Sequence, residues 1–224
     1  MTGQELYKIL VAQGVERLYH ANSVKTALSL LRLGGLASRQ LVEQERLPQT
    51  IQYTDDVDRQ FGIWGDIFAD TVDIHARISD RNKYGPVLFV LSIEILNMLP
   101  LSSRALVTRS NPSKWGGTKS DTQRYFLNAV DLVDNFSIGN FDQMLVIRTS
   151  AGIVPFGDHL QSIILDEPRL ANEVGQEFCD AANALTKSSG GQVEVVRRSC
   201  SSWCKCAMSY AEKSSRIPWF FNLP

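Results

Sequence analysis

The sequence predicts an α+β fold for a chain of 224 residues. Helical periodicity appears early and late, with short apolar runs between them rather than regular βαβ alternation. Hydrophobic residues make up 44% and charged residues 21% of the chain, which suits a real core and excludes a mostly disordered protein. No repeat, low-complexity segment or clear linker divides the chain, so one domain over residues 1–224 is expected.

The elements follow in order. Glu5 to Ala12 carries Leu6, Ile9 and Leu10 at helical spacing and stops at Gly14. Val15 to His20 reads as a short strand. Asn22 or Ser23 can cap the next helix, whose apolar face is Val24, Ala27, Leu28 and Leu31. Gly34 and Gly35 end it, since glycine takes the left-handed C′ conformation without strain. Residues 40–60 are polar and poor in apolar periodicity. Asp66 to Ala76 reads as a strand, Asp80 to Lys83 as a turn, and Val87 to Leu91 is the strongest strand signal. Ile93 to Leu99 suggests a short helix closed before Pro100. Residues 102–124 read as a long loop broken by Asn111-Pro112 and Gly116-Gly117. Met144 to Arg148, Ile163 to Leu165 and Val193 to Val196 are further strands, and Glu173 to Leu185 is a helix.

Charge narrows the functional classes. Lys+Arg is 23 and Asp+Glu is 24, a net charge of -1, which argues against a bulk electrostatic grip on nucleic acid. A localised basic patch stays open. No apolar run reaches the roughly 18 residues that cross a bilayer, and the start lacks the basic and apolar regions of a signal peptide. A cytoplasmic protein with no membrane partner and reduced cysteines is the expectation.

Several residues carry chemistry, each with a plainer alternative. Arg39 suits a pyrophosphate through its planar fork, or is a surface arginine at a helix end. His20 ends a strand and is a pocket imidazole or a core or capping histidine. Asp73 and His75 share a strand face, but a metal site needs at least a third ligand, so no metal is expected. Tyr84 offers a ring to a cofactor or anchors the next strand. The 102–124 segment holds Arg104, Arg109, Lys114, Lys119 and Arg124, with Trp115 among them. Cations interleaved with an exposed aromatic suit a single nucleic-acid strand; the plainer reading is a solvated loop with Trp115 packed beneath it. Cys200, Cys204 and Cys206 lack zinc-knuckle spacing and read as reduced thiols, their role left open. Trp203, Trp219, Phe220 and Phe221 read as docking the C-terminus.

The stretch Leu18-Tyr19-His20-Ala21-Asn22, a helix, and then Gly34-Gly35-Leu36-Ala37-Ser38-Arg39 resembles the opening of DarT-type ADP-ribosyltransferases, toxin enzymes of bacterial defence systems that transfer ADP-ribose from NAD to single-stranded DNA. Two looser matches follow, at Asp70 to His75 with Ser79 to Tyr84, and at Asp142 to Val146. Together they cover about two-thirds of the chain; the C-terminal third has no counterpart. The resemblance implies a core of two small packed β-sheets with flanking helices, and NAD as co-substrate. It places His20, Asn22, His75 and Tyr84 in the NAD pocket and gives Arg39 contact with the phosphates and a part in catalysis. Arg109, Lys114, Trp115 and Lys119 fall where the family recognises its target. The family opens its third block with a glutamate, where this sequence has Gln143 beside Asp142. Gln143 can hydrogen-bond a ribose hydroxyl but supplies no full negative charge. Asp142 can do both jobs, yet strand alternation points it away from the face of Gln143. The implied function is ADP-ribosylation of single-stranded DNA by a toxin restrained by an antitoxin or a reversing hydrolase. Protein or water as acceptor, or a binding protein with weakened chemistry, are the alternatives.

Overall fold

The computed structural model describes residues 1–74, 82–116, 120–167, 175–201 and 203–224. Helix α1 (Gly3–Ala12) starts at a capping box: the Thr2 hydroxyl accepts from the Glu5 amide at 3.2 Å, and the Glu5 carboxylate accepts from the Thr2 amide at 2.8 Å. It buries Leu6 and Leu10, as the spacing predicts. Strand β1 (Arg17–Asn22) follows. The Ser23 hydroxyl caps α2 (Val24–Leu33), which closes at Gly34 with φ 73°. Strand β2 is Gly35–Ala37, and Ser38 caps α3 (Arg39–Gln44).

The polar 40–60 stretch is not irregular. Besides α3 it holds α4 (Asp55–Gln60), which fully buries no side chain and so shows no apolar period. The strand expected over Asp66 to Ala76 is short, β3 (Ile67–Ala69), and residues 75 and 76 lie outside the described residues. Strand β4 (Val87–Ser92) is buried along its first five residues, which explains its unbroken apolar run. Ile93–Met98 is a 3-10 helix.

The expected loop over 102–124 is largely ordered. It contains β5 (Arg104–Thr108), a 3-10 turn at Pro112–Lys114 and α5 (Asp121–Arg124), and leads into β6 (Tyr125–Phe126). Helix α6 (Ala129–Asn135), β7 (Leu145–Arg148), β8 (Ile153–Pro155) and β9 (Leu160–Glu167) come next. Then come α7 (Gly175–Ser188), β10 (Glu194–Ser199), α8 (Lys205–Glu212) and α9 (Arg216–Phe221). Among the described residues no helix is long and apolar enough to cross a membrane.

Two four-stranded sheets form the centre, as expected. The first runs β1-β4-β9-β10, antiparallel except for the parallel β9–β10 pair that α7 connects. The second runs β3-β7-β5-β6 and is antiparallel throughout. β2 and β8 form a separate pair. The sheets meet at one bridge, where Tyr19 and Asp70 exchange backbone hydrogen bonds of 2.8 Å each way.

One hydrophobic cluster extends from Leu6 to Phe221 across α1, α2, α7 and the first sheet. Phe221 is fully buried, and a ring or aliphatic side chain so enclosed stabilises by about 1.5–3 kcal/mol. The C-terminal aromatics divide, however. Phe221 docks, whereas Trp203 and Trp219 stay exposed. A second cluster lies under β6, formed by Ile63, Leu106, Trp115, Tyr125 and Val146.

Candidate active site

Where the two sheets part, a cleft opens between β1, β3, α3 and the 111–113 turn. His20 and Asn22 lie two apart on β1 and so reach the same side. Gly85, with φ 137°, lets the chain press against the backbone of Asn22; a Cβ there would sit 2.3 Å from the Asn22 carbonyl oxygen. This close approach brings Tyr84 to the cleft wall, where its amide donates to Asn82 Oδ1 at 2.8 Å.

His20 Nδ1 lies 2.7 Å from the Phe68 carbonyl oxygen. Only a protonated Nδ1 can donate there, so the neutral ring keeps Nε2 as an acceptor. Burial pushes the His20 pKa down to about 4; the Phe68 carbonyl opposes this and the Arg39 charge adds to it. Asn22 is 2% exposed, and its Nδ2 donor has no partner among the described residues.

Arg39 opens α3. Its Nη2 donates to the Thr50 carbonyl at 2.9 Å and to Asp55 Oδ2 at 2.8 Å, and its guanidinium carbon lies 5.1 Å from the Trp64 ring centre. Burial lowers its pKa and Asp55 opposes the shift, so the group stays cationic. Among the described residues Arg39 Nε has no partner, and neither does Gln49 Oε1, whose Nε2 donates to the Arg39 carbonyl at 3.2 Å. Asn22, Arg39 and Gln49 all line the cleft. Each buried polar atom without a partner costs about 1–3 kcal/mol. Two donors and one acceptor waiting in one cleft fit a polar ligand bearing oxygen acceptors and a hydroxyl or amide.

Three carboxylates also line the cleft, from Asp58, Asp66 and Asp70. Burial raises Asp66 to about 6, while Arg148 opposes by donating Nε to both its oxygens at 2.9 and 3.0 Å. Burial, then the Asp55 charge, raises Asp58 to about 7 against the pull of Arg39. The Thr54 hydroxyl donates to Asp58 at 3.4 Å, a weak bond. Asp58, Asp66, Gln49 and Trp64 escaped the sequence reading, because α4 and its flanks show no apolar period. Among the described residues no group of three or more His, Cys, Asp or Glu could hold a metal ion.

Other candidates lie elsewhere. Asp142 and Gln143 precede β7 and do not line the cleft. Gln143 is buried with its amide tied to backbone: Oε1 accepts from Ser137 at 2.7 Å and Nε2 donates to Asn135 at 2.8 Å. Asp142 pairs with Lys114 at 2.7 Å and accepts from the amide of Asn111, a cleft residue, at 3.2 Å. Burial pushes the Asp142 carboxyl up, but Lys114 and the Asn111 amide more than offset this and hold it below its usual value. Arg109 pairs with Asp131 and donates Nε to the Thr122 and Tyr125 carbonyls at 3.0 and 3.1 Å. The expected exposed indole needs correction. Trp115 is 4% exposed, its Nε1 donates to the Ser110 carbonyl at 2.9 Å, and Phe61 and Tyr125 pack edge-on against it. It has no open face for a base. His75 and Lys119 lie outside the described residues.

No protein-family model matches the chain, and no curated protein sequence matches it. Solved structures do. Thermus sp. 2.9 DarT in complex with ADP-ribosylated single-stranded DNA aligns with a TM-score of 0.51 at 12% identity, covering 85% of this chain and 97% of that one. The same protein in complex with NAD+ aligns with a TM-score of 0.50 at 9% identity, covering 85% and 98%. At such identities the likeness establishes the fold: the chain has the DarT-like ADP-ribosyltransferase fold.

Proposed function

We propose that this chain is an NAD-dependent ADP-ribosyltransferase with nucleic acid, specifically single-stranded DNA, as its acceptor. One observation carries the reading: on a fold whose solved neighbour binds NAD+, the Asn22 amide and the Arg39 guanidinium line one cleft with unpartnered polar atoms, beside the neutral ring of His20. The second neighbour holds ADP-ribosylated single-stranded DNA, which supports the acceptor.

NAD would supply an ADP-ribosyl group: its bond to nicotinamide would break with the electron pair leaving on nicotinamide, while a nucleophilic atom of the acceptor base would form the new bond to the ribose carbon and lose its proton to water. Arg39 brings cationic charge and a spare Nε donor to a phosphate oxygen. His20 offers Nε2 to a ribose hydroxyl, and Asn22 donates Nδ2 to a carbonyl or phosphate oxygen. Asp58, once ionised, sets negative charge in a low-dielectric cleft where positive charge develops at the ribose. Groups of this kind stabilise a transition state by about 2.7–4 kcal/mol. Tyr84 lines the same cleft and completes the cofactor side; for His75 a cofactor role rests on the sequence resemblance alone. Asp142 and Gln143 act one layer back, by fixing Asn111 and the 135–137 backbone. The enclosed space is about 100 Å³, against roughly 300–1,000 Å³ for small-molecule sites. It seats one ring, with the rest of a dinucleotide along the open side. A toxin or defence role, with an antitoxin or reversing hydrolase as restraint, belongs to the same proposal.

A second reading, NAD binding without chemistry, draws on the withdrawal of Asp142 and Gln143 from the cleft. One assay separates the two. The chain is incubated with NAD, with and without a single-stranded oligonucleotide, and nicotinamide release and the oligonucleotide mass are measured. Transfer gives release that depends on the oligonucleotide and a mass raised by one ADP-ribosyl group. Release without any mass change assigns water as acceptor, and no release leaves binding alone.

A further inference from the structure

A second depression runs between residues 50–53, residues 82–84 and helices α8 and α9, with about 600 Å³ of space. Two aromatic side chains stand open on it, Tyr53 at 95% and Trp219 at 51% exposure. Lys83, Lys213 and Arg216 line it, and no carboxylate does among the described residues. In a chain of net charge -1 this is a local island of cations. Neither lysine has an ion pair with a described residue, unlike Lys114 and Arg109. Arg216 is fixed in place by the Ser209 carbonyl and hydroxyl. The groove is continuous with the sheet cleft, since Gln52 and Tyr84 line both.

We infer that this groove, rather than the Arg109, Lys114 and Trp115 cluster, holds the acceptor strand: a single-stranded nucleic acid whose bases stack on Tyr53 and Trp219 and whose phosphates meet Lys83, Lys213 and Arg216. Stacking needs open ring faces, and phosphate neutralisation needs cations not already neutralised by the protein. Both conditions hold here, and neither holds at Trp115, Lys114 or Arg109. Continuity through Tyr84 delivers a strand lying in the groove to the reacting ribose. The inference rests on the transferase reading for that last step and on the groove alone for binding.

The test is fluorescence anisotropy of the full chain with a labelled mixed-sequence DNA strand of about twelve nucleotides, at salt from about 50 to 200 mM. Wild type, Lys83→Ala with Lys213→Ala, Trp219→Ala and Arg39→Ala are compared, with thermal melts to confirm folding. The double lysine variant is expected to bind about tenfold more weakly and to lose roughly 1.4 from the slope of log affinity against log salt, about 0.7 per phosphate contact. Trp219→Ala is expected to weaken binding about tenfold. Arg39→Ala is expected to keep oligonucleotide affinity. Unchanged affinity and slope in the lysine and tryptophan variants overturns the groove, whatever the nicotinamide assay gives. So does a wild type that binds polyglutamate peptide and not the oligonucleotide. Groove-dependent DNA binding with no nicotinamide release upholds the groove and removes the transferase reading.

Discussion

Two regions of this molecule carry basic and aromatic residues, and their fates are opposite. Between β5 and β6 three such groups among the described residues are already engaged. Arg109 pairs with Asp131, Lys114 with Asp142, and the Trp115 indole packs among Phe61 and Tyr125. Along α8 and α9 the same residue types face outward, with Lys213 and Trp219 open and no carboxylate lining the groove among the described residues. Composition alone ranks the first region higher. Partners decide otherwise, because a cation already neutralised releases few counterions on meeting a phosphate, and a buried ring offers no face to a base.

The sharpest way to break the contrast lies in the cleft that both regions border. Arg39→Ala is expected to lower NAD turnover at least about a hundredfold, by removing charge stabilisation of the kind that commonly costs 10²–10³ in rate. Normal turnover in that variant rejects the site. The next effect is on stability. Trp115→Ala is expected to cost about 3–5 kcal/mol as a buried ring is lost, whereas Trp219→Ala should stay within about 0.5 kcal/mol. Paired thermal melts check both, and equal losses would erase the distinction between the regions.

A third effect depends on pH. Burial raises the Asp58 pKa from the ordinary carboxyl value of 3.8 to about 7 in the folded chain. The native state therefore keeps a proton that the unfolded chain releases, and stability is lost as pH rises from about 4 through 7. Asp58→Asn should be more stable than wild type by a margin that grows over that window and levels off above it. Each kcal/mol moves the melting temperature by roughly 2–4 °C in a chain of this size. A margin that ignores pH would contradict the raised pKa. The smallest effect belongs to Lys114. Lys114→Ala breaks a half-exposed ion pair with Asp142 and should cost at most about 1 kcal/mol, with oligonucleotide affinity changed less than twofold in the anisotropy assay.

Much of the fold was legible. The helical spacing of Leu6 and Leu10, the glycine that closes α2 and the apolar run of β4 are local signals, and local signals survive in a sequence. The cleft was half legible. His20, Asn22 and Arg39 fall in one short stretch bounded by strand and helix signals, so their convergence depends on few unknown angles. Asp58 was hidden, because a helix that half-buries polar side chains and fully buries none leaves no apolar period to read. The pairing of Arg109 with Asp131 and of Lys114 with Asp142 spans 22 and 28 residues, and no spacing rule reaches that far. The segment Ala105-Leu106-Val107 was masked by the turn signals that follow it, although all three residues are buried in β5.

The Tyr19–Asp70 bridge gives the molecule a seam without a ladder. Among the described residues the hydrogen bonds joining β1 to β3 and its end are the two backbone bonds of the bridge, each worth about 0.5–1.5 kcal/mol net, and the His20–Phe68 bond, backed by an apolar cluster that includes Leu18, Ile67 and Ala69. A guest that wedges between the layers works against those few contacts and not against a full ladder, so a slot too tight for a dinucleotide at rest yields at this seam before either sheet does.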